Sequence, residues 1–261
     1  MVVNAGVRAR LHVDQELDTG QFINLSGNQS HYLKNVLRLA PDAEVALFNG
    51  KDGEWLARID RVSQRSISLE VRRLLRAQAV EPELWLMFAP IKRARLDIIV
   101  QKAVELGVSR LIPIFTERTE VKRLNLVRHR ANIVEAAEQC ERLTLPEIVE
   151  PRAIFDVLAN FPGDGCILVC VERGDADPIH KVLQEDLASV GRFAILCGPE
   201  GGFSDTELDA FGKLSFIRFV SLGPRILRAE TAVISAVTCW QVTLGDWRRR
   251  PPMRDFNLEA S

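Results

Sequence analysis

Residues 193–204 read Phe193-Ala194-Ile195-Leu196-Cys197-Gly198-Pro199-Glu200-Gly201-Gly202-Phe203-Ser204. The first five are apolar without a break, which suits a strand covered on both faces rather than one with a wet side. Three glycines then fall within five residues. Glycine permits close backbone approach and positive φ, at an entropic cost that a plain connection does not need. Ser204 with Glu207 forms an S-x-x-E capping box and starts a helix. Strand, glycine loop and helix together make one βα unit of an open parallel sheet, and such sheets bind ligands beyond the carboxyl ends of their strands. The loop is neither G-x-G-x-x-G nor G-x-x-x-x-G-K-S/T, so the usual dinucleotide and nucleoside-triphosphate readings lose support.

A second unusual loop follows the next strand: Ser221-Leu222-Gly223-Pro224-Arg225-Ile226-Leu227-Arg228-Ala229-Glu230-Thr231-Ala232. Gly-Pro forces a turn directly after the strand. Arg225, Arg228 and Glu230 then precede an apolar helix carrying Val233, Ala236, Val237, Trp240 and Leu244. Glu230 alone is an ordinary partner for a helix N-terminus. Two Gly-Pro loops after nearby strands are either tight βα turns or the two walls of one ligand site.

Outward from these loops, strands and helices alternate from Leu84 onward. The pattern predicts strand Leu84–Ala89, helix Arg95–Leu106 closed by Gly107, strand Arg110–Phe115, and helices Leu126–Arg142 and Ala153–Asn160. Strand Cys166–Val171, helix Pro178–Val190, strand Phe193–Cys197, helix Ser204–Lys213, strand Ile217–Leu222 and a last helix from Ala229 to Gly245 complete it. The N-terminal part is different. Trp55–Ile59 and Ser66–Val71 alternate with period two, Asn49-Gly50 and Asp52-Gly53 are turn signals after Val45–Phe48, and one helix is expected at Ser30–Leu39. This part reads as a small β-barrel. The domains expected are 1–76 for the barrel, 77–83 for a linker, 84–250 for the α/β domain and 251–261 for a tail.

Composition bounds the function. The chain has 261 residues and a net charge of −1, enough for a sizeable core and too neutral for a cationic surface throughout. No apolar run approaches the ~20 residues of a membrane span, and Met1–Arg10 lacks a signal peptide's apolar stretch, so a soluble cytoplasmic protein is expected. The five cysteines include no C-x-x-C and read as free buried thiols. The four histidines show no H-x-x-x-H, and no metal site is expected. Charge is uneven: Ile91–Arg130 holds ten Lys/Arg against four acids. That segment either grips a phosphate backbone or is a solvated helix face.

The strings GPEGGFS (198–204) and LGPRILRAETA (222–232), with Gln101–Gly107 and Glu117-Arg118-Thr119, resemble the RsmE family. These are bacterial methyltransferases of the SPOUT, or trefoil-knot, superfamily that act on N3 of a uridine in 16S ribosomal RNA. His31–Arg38 is similar to the family's PUA-like RNA-binding domain. The chain departs from the family at Gln139-Cys140-Glu141-Arg142, where Glu141 replaces a glycine.

The resemblance implies an α/β fold: a C-terminal trefoil-knotted parallel-sheet domain behind an N-terminal PUA-like barrel. It implies S-adenosylmethionine held by Leu196, Gly198, Pro199, Glu200, Gly201 and Gly202 from one loop and by Leu222, Gly223 and Leu227 from the other. It further implies a 16S rRNA or small-subunit substrate gripped by His31, Arg38, Lys92, Arg93, Lys102, Arg118 and Arg142, and a homodimer. Methylating uracil N3 needs positioning, a proton acceptor and a cation facing the developing anion. Arg228, with Arg225 as second candidate, is the expected cation, and Glu230 receives or positions the proton directly or through water. The competing reading pairs these arginines with Glu230 in a structural ion pair. A 2′-O-ribose or guanine-N1 methyltransferase and an inactive assembly factor are the alternative functions; a NAD-dependent dehydrogenase lacks its glycine fingerprint.

Overall fold

The computed structural model describes residues 7–172, 174–185 and 190–250. The expected tail 251–261 and part of the helix expected at Pro178–Val190 lie outside the described residues. The described chain divides into two units, residues 7–80 with 137–144, and residues 81–136 with 145–250.

The first unit is a five-stranded sheet. Its strands are β1 (Val7–His12), β2 (Phe22–Ser26), β3 (Glu44–Phe48), β4 (Glu54–Val62) and β5 (Ser66–Arg76), in the order β1-β3-β4-β5-β2. Only β1 and β3 run parallel. No ladder joins β1 to β2 among the described residues, so the expected barrel is hydrogen-bonded as an open sheet. Register shifts along β4 and β5 bend it. Ile23, Leu25, Val45, Leu47, Ile59, Ile67 and Leu69 then share one core with Leu33. The helix expected at Ser30–Leu39 is instead α1 (Gly27–His31) running into a π-helical turn, Tyr32–Val36, and it ends where Arg38 adopts φ 54°.

A fully buried carboxylate organises this unit. Glu54 Oε1 accepts from Arg10 Nε and Oε2 from Arg76 Nε at 2.8 Å, with all three side chains at most 7% exposed. Arg10 also donates to the carbonyls of Ala137 (2.7 Å) and Arg142 (2.8 Å), and Arg76 to that of Glu141 (2.9 Å). Helices end with carbonyls that lack a partner and favour cations there, so the two guanidiniums cap the chain where a helix finishes. That helix was expected to run to Arg142 and stops at Cys140, because Glu141 turns to φ 63°. The left-handed region suits glycine, and a side chain there costs roughly 1 kcal/mol. Glu141→Gly is therefore expected to stabilise the protein by about 1 kcal/mol, read as a raised thermal midpoint; an unchanged or lowered midpoint would show that the Glu141 side chain repays its strain.

In the second unit eight strands form one parallel sheet. They are β6 (Leu84–Phe88), β7 (Arg110–Phe115), β8 (Glu147–Ile148), β9 (Arg152–Ala153), β10 (Gly165–Cys170), β11 (Asp177–Pro178), β12 (Arg192–Cys197) and β13 (Ile217–Ser221). The order is β11-β13-β10-β12-β6-β7-β8, with β9 on β7. The unbroken apolar runs do form its central strands; Leu84, Leu86, Ile167, Leu168, Ala194 and Ile195 are fully buried. Helices α2 (Arg93–Glu105), α3 (Leu126–Cys140), α4 (Ile154–Leu158), α5 (Ile179–Val182), α6 (Asp205–Phe211) and α7 (Ala229–Thr243) connect the strands. Gly107 closes α2 at φ 82°, as its place after the amphipathic stretch predicts. The buried Gln241 of α7 donates to Leu106 O at 2.7 Å, which satisfies one of α2's terminal carbonyls.

His129 on α3 is 1% exposed, and its pKa lies below the ordinary 6.5. Burial is the main cause and the Arg128 cation adds to it. Asp97, 3.7 Å away, does not reverse the shift, since its carboxylate already accepts from Arg128 (2.6 Å) and Asn132 (3.0 Å). The unfolded chain therefore binds a proton first as the pH falls past 6.5. The stabilisation from a neutral His129 is complete above that pH and is lost as the pH falls through the folded pKa. His12 is shifted the same way, chiefly by burial. The melting temperature should drop between about pH 7.5 and 5.5, and drop less in His129→Gln. An identical slope in that variant would remove His129 from the account.

Candidate functional site

Strands β13, β10 and β12 are neighbours in the sheet and end at Ser221, Cys170 and Cys197. The chain leaving these three ends encloses a cavity of about 640 Å³, within the usual range for small-molecule sites. One wall is Gly198–Phe203, the facing wall is Leu222, Gly223 and Arg225–Ala229, and Cys170, Val171 and Glu172 supply the third. Both glycine-rich loops therefore belong to one site, which decides against two unrelated tight turns.

The first loop is held by its neighbours. Ser204 caps α6, accepting from Glu207 N at 3.2 Å, and Glu207 Oε2 accepts from Ser204 N at 2.9 Å. The capping box is as the sequence predicts. Its other oxygen has a further use: Glu207 Oε1 accepts from Glu117 N at 2.8 Å, which ties the loop after β7 to this one. Arg118 then donates to the carbonyls of Gly201 (3.0 Å) and Phe203 (3.1 Å). A Cβ at Gly198 would stand 3.1 Å from the Phe203 ring, so the loop's tightness depends on that glycine. Gly202 (φ 67°) and Gly223 (φ 107°) occupy conformations that other residues rarely adopt.

Charge is arranged in two layers. Arg225 and Arg228 are exposed on the cavity wall, and no hydrogen bond or ion pair holds either guanidinium among the described residues. Behind them, Arg95 of α2 reaches Glu200 Oε1 at 3.3 Å and Glu230 Oε1 at 3.7 Å. Glu230 stands outside the cavity wall, and its Oε2 is buried with no hydrogen-bond partner among the described residues. The Cys170 thiol on the cavity lining is a poor nucleophile, because hydrogen bonding to Cys197 and then burial push it well above its ordinary range.

The expected cofactor residues Gly198, Pro199, Glu200, Gly201, Gly202, Leu222, Gly223 and Leu227 all line the cavity. Leu196 does not. An inward position near the end of β12 puts its side chain in the core beneath, at 0% exposure. Arg225 and Arg228 line the cavity, and the ion pair that the competing reading gave them with Glu230 is made by Arg95 instead. Of the residues assigned to RNA, His31, Arg38, Lys92 and Arg93 are exposed. Arg142 is buried at 8%, Arg118 is spent on loop carbonyls, and Lys102 pairs with Glu105 at 2.8 Å. Of those three, only Arg142 is withdrawn from solvent. Cys140 is exposed at the end of α3, against the expectation of buried thiols throughout. Among the described residues no group of three or more His, Cys, Asp or Glu side chains could hold a metal ion.

Sequence reasoning missed Arg95, Glu207's second role and the Cys170–Glu172 wall. Only the third had a signal, in the apolar run ending at Cys170, and strand order was needed to read it.

This is an α/β RNA methyltransferase preceded by a PUA domain: residues 79–241 match the RNA methyltransferase domain family and residues 25–72 the RNA methyltransferase PUA domain family. The chain belongs to the ribosomal RNA small subunit methyltransferase E family. It is 33% identical over 229 residues to the Rickettsia conorii enzyme of that name, covering 87% of this chain and 93% of the relative. Two solved structures are similar along most of their length. The Neisseria gonorrhoeae ribosomal RNA small subunit methyltransferase E bound to S-adenosylmethionine superposes with a TM-score of 0.82 at 27% identity, covering 92% of this chain and 99% of that one. A Legionella pneumophila methyltransferase in complex with the same cofactor gives 0.82 at 29% identity, covering 91% and 98%. Among the described residues no helix is long and apolar enough to cross a membrane.

Proposed function

We propose that this protein methylates N3 of a specific uridine in 16S ribosomal RNA of the small subunit, with S-adenosylmethionine as methyl donor. The observation that carries the reading is the cavity walled by both glycine-rich loops, with Arg225 and Arg228 unpaired on its wall.

The residues present fit that donor. Gly198, Gly201, Gly202 and Gly223 offer backbone N–H and C=O groups without side-chain bulk, and Leu222 and Leu227 offer apolar surface to an adenine ring. When bound, S-adenosylmethionine supplies an electrophilic methyl group on a sulfonium. The protein's part is to seat an unpaired uridine, because N3 lies on the pairing edge and is hidden in a duplex. The N3–H proton leaves and the N3–CH3 bond forms as the S–CH3 bond breaks. Arg228, supported by Arg225, faces the negative charge that develops on the uracil oxygens. Glu230, set back from the wall, positions this machinery and reaches the proton only through water.

Exposed cations provide the grip on RNA. Lys92 and Arg93 open α2 and no acid lies in its first turn; α3 also starts without one, after Lys122 and Arg123. Helix N-termini attract anions, and cations added there leave a positive end that phosphate neutralises. His31 and Arg38 serve the same purpose in the PUA-like part. RNA affinity should fall with salt at a log–log slope near −3 if about four phosphates are neutralised; a flat response would reject this grip.

The domain reading that goes with this function is a PUA-like RNA-binding domain over 1–76, a linker at 77–83, a SPOUT knotted domain over 84–250 and a tail at 251–261. The placement of the late strand β12 between β10 and β6 supports it. The protein acts in the cytoplasm as a homodimer. Exposed Ile98, Val242, Leu244 and Trp247 support a partner surface, and light scattering near twice 29.3 kDa would test it. For the activity itself, purified protein with labelled cofactor is offered naked 16S RNA and small subunits, and the product is mapped by mass spectrometry. A single N3-methyluridine is expected; a methylated ribose or guanine would overturn the assignment.

A further inference from the structure

Among the described residues, Arg95 alone makes ion pairs both to the loop after β12 and to the helix that follows the loop after β13. We propose that Arg95 is a positioning residue, a strut that holds Glu200 and Glu230 in register and so sets the width of the donor pocket. The inference rests on the proposed reading of that pocket as the S-adenosylmethionine site.

Three observations carry it. Arg95 projects from the first turn of α2, an element outside both loops, and its guanidinium reaches one wall and the helix start behind the other: Nη1 to Glu200 Oε1 at 3.3 Å, and Nε to Glu230 Oε1 at 3.7 Å. Neither loop has another ion pair to the rest of the fold among the described residues. Second, Glu230 is only 14% exposed and its Oε2 is buried without a hydrogen-bond partner among the described residues, so the Arg95 cation 3.7 Å from Oε1 is what compensates this carboxylate. An unpaired buried carboxylate oxygen is costly, and losing Arg95 would remove the one cation that the described residues set against this carboxylate. Third, Arg225 and Arg228 sit nearby and make no such bond, so the choice of Arg95 is geometric and not a general attraction of the acids for any arginine. A guanidinium can serve two acids through separate edges, whereas an ammonium is a point charge.

The test uses the full-length protein and two readouts. Hydrogen exchange of the free enzyme is compared for wild type, Arg95→Met and Arg95→Lys, and S-adenosylmethionine affinity is measured by calorimetry for the same proteins and for Glu200→Gln with and without Arg95→Met. Arg95→Met should speed exchange at residues 198–204 and 223–231 while β6 and β7 stay protected, and weaken donor binding about tenfold. Arg95→Lys should recover part of both. Adding Glu200→Gln to Arg95→Met should cost little more, because the two act as one unit. Unchanged exchange in both loops, or a double variant whose losses simply add, overturns the strut. Wild-type protein that fails to bind S-adenosylmethionine overturns the reading of the pocket instead, and the exchange arm still decides the strut.

Discussion

Glu54→Ala is expected to destabilise the first unit by about 3–5 kcal/mol, the cost of leaving a buried ion partner uncompensated. Glu54 is 0% exposed and divides its oxygens between Arg10 and Arg76, whose side chains are 7% exposed. Arg10 lies over the Phe48 ring at 3.6 Å, so its charge cannot swing to water without giving up that packing. Removal of the carboxylate leaves two guanidiniums in a dry site without their shared anion, and neutral carbonyls such as those of Ala137, Glu141 and Arg142 do not replace its charge. Glu54→Gln should lose nearly as much, since it keeps the shape and discards the charge. Replacing all three charged residues by apolar ones of similar volume should recover much of the loss, because the desolvation cost then disappears with the charges. Urea unfolding followed by circular dichroism and tryptophan fluorescence checks the series. A Glu54→Ala loss below about 1 kcal/mol would mean that water reaches the network.

The same network shows where sequence reading stops. Glu54 sits at the start of β4 beside a turn signal, and nothing in a period-two pattern says that an acid there is buried. Its partners are 44 residues before it and 22 after. Long-range pairing of this kind depends on strand order, which hydrophobic patterning does not carry. The parallel sheet was legible because a strand buried on both faces must be apolar throughout, and Leu84–Phe88, Cys166–Cys170 and Phe193–Cys197 are. Gly107 and the Ser204–Glu207 box were legible because helix ends are settled by a few adjacent residues. Helix lengths were less so: the helix expected to Arg142 depends on one residue, Glu141, entering positive φ. The glycine expected there by family resemblance has a conformational reason.

In the site, the glycine-rich loops could be found because glycine is informative by itself. The role of a charge was not readable in the same way. Arg118 and Arg95 look alike in a basic segment, yet one braces loop carbonyls and the other spans two acids. Arg142 looks like a phosphate ligand and is buried. A cation's partner is decided by what the fold brings near it, and that is a property of topology.

The second large effect falls on Arg228, one of the two cavity-wall arginines that the described residues leave unengaged. Arg228→Ala should lower kcat by about two to three orders of magnitude, the range seen when one donor to a developing oxyanion is removed. Arg228 occupies the N-cap of α7, where its backbone is fixed by the helix start at φ −66° and ψ 153° while its side chain stays exposed on the cavity wall. The reading of Arg228 as a structural partner of Glu230 loses ground because Arg95 holds that acid. An arginine with no structural debt can be removed without unfolding the loop, so the variant should melt as the wild type does and bind S-adenosylmethionine within about twofold of it. The fall in kcat with an unchanged donor affinity separates Arg228 from Arg95, whose loss acts on binding and loop exchange. Arg228→Lys should keep part of the rate, since an ammonium supplies charge without the planar pair of donors. Arg225→Ala should cost less, being one step further along the loop from the helix start. Single-turnover methylation of small subunits, with binding measured separately, gives both quantities. Wild-type turnover by a folded Arg228→Ala protein would move the anion-facing role to Arg225 or away from this loop.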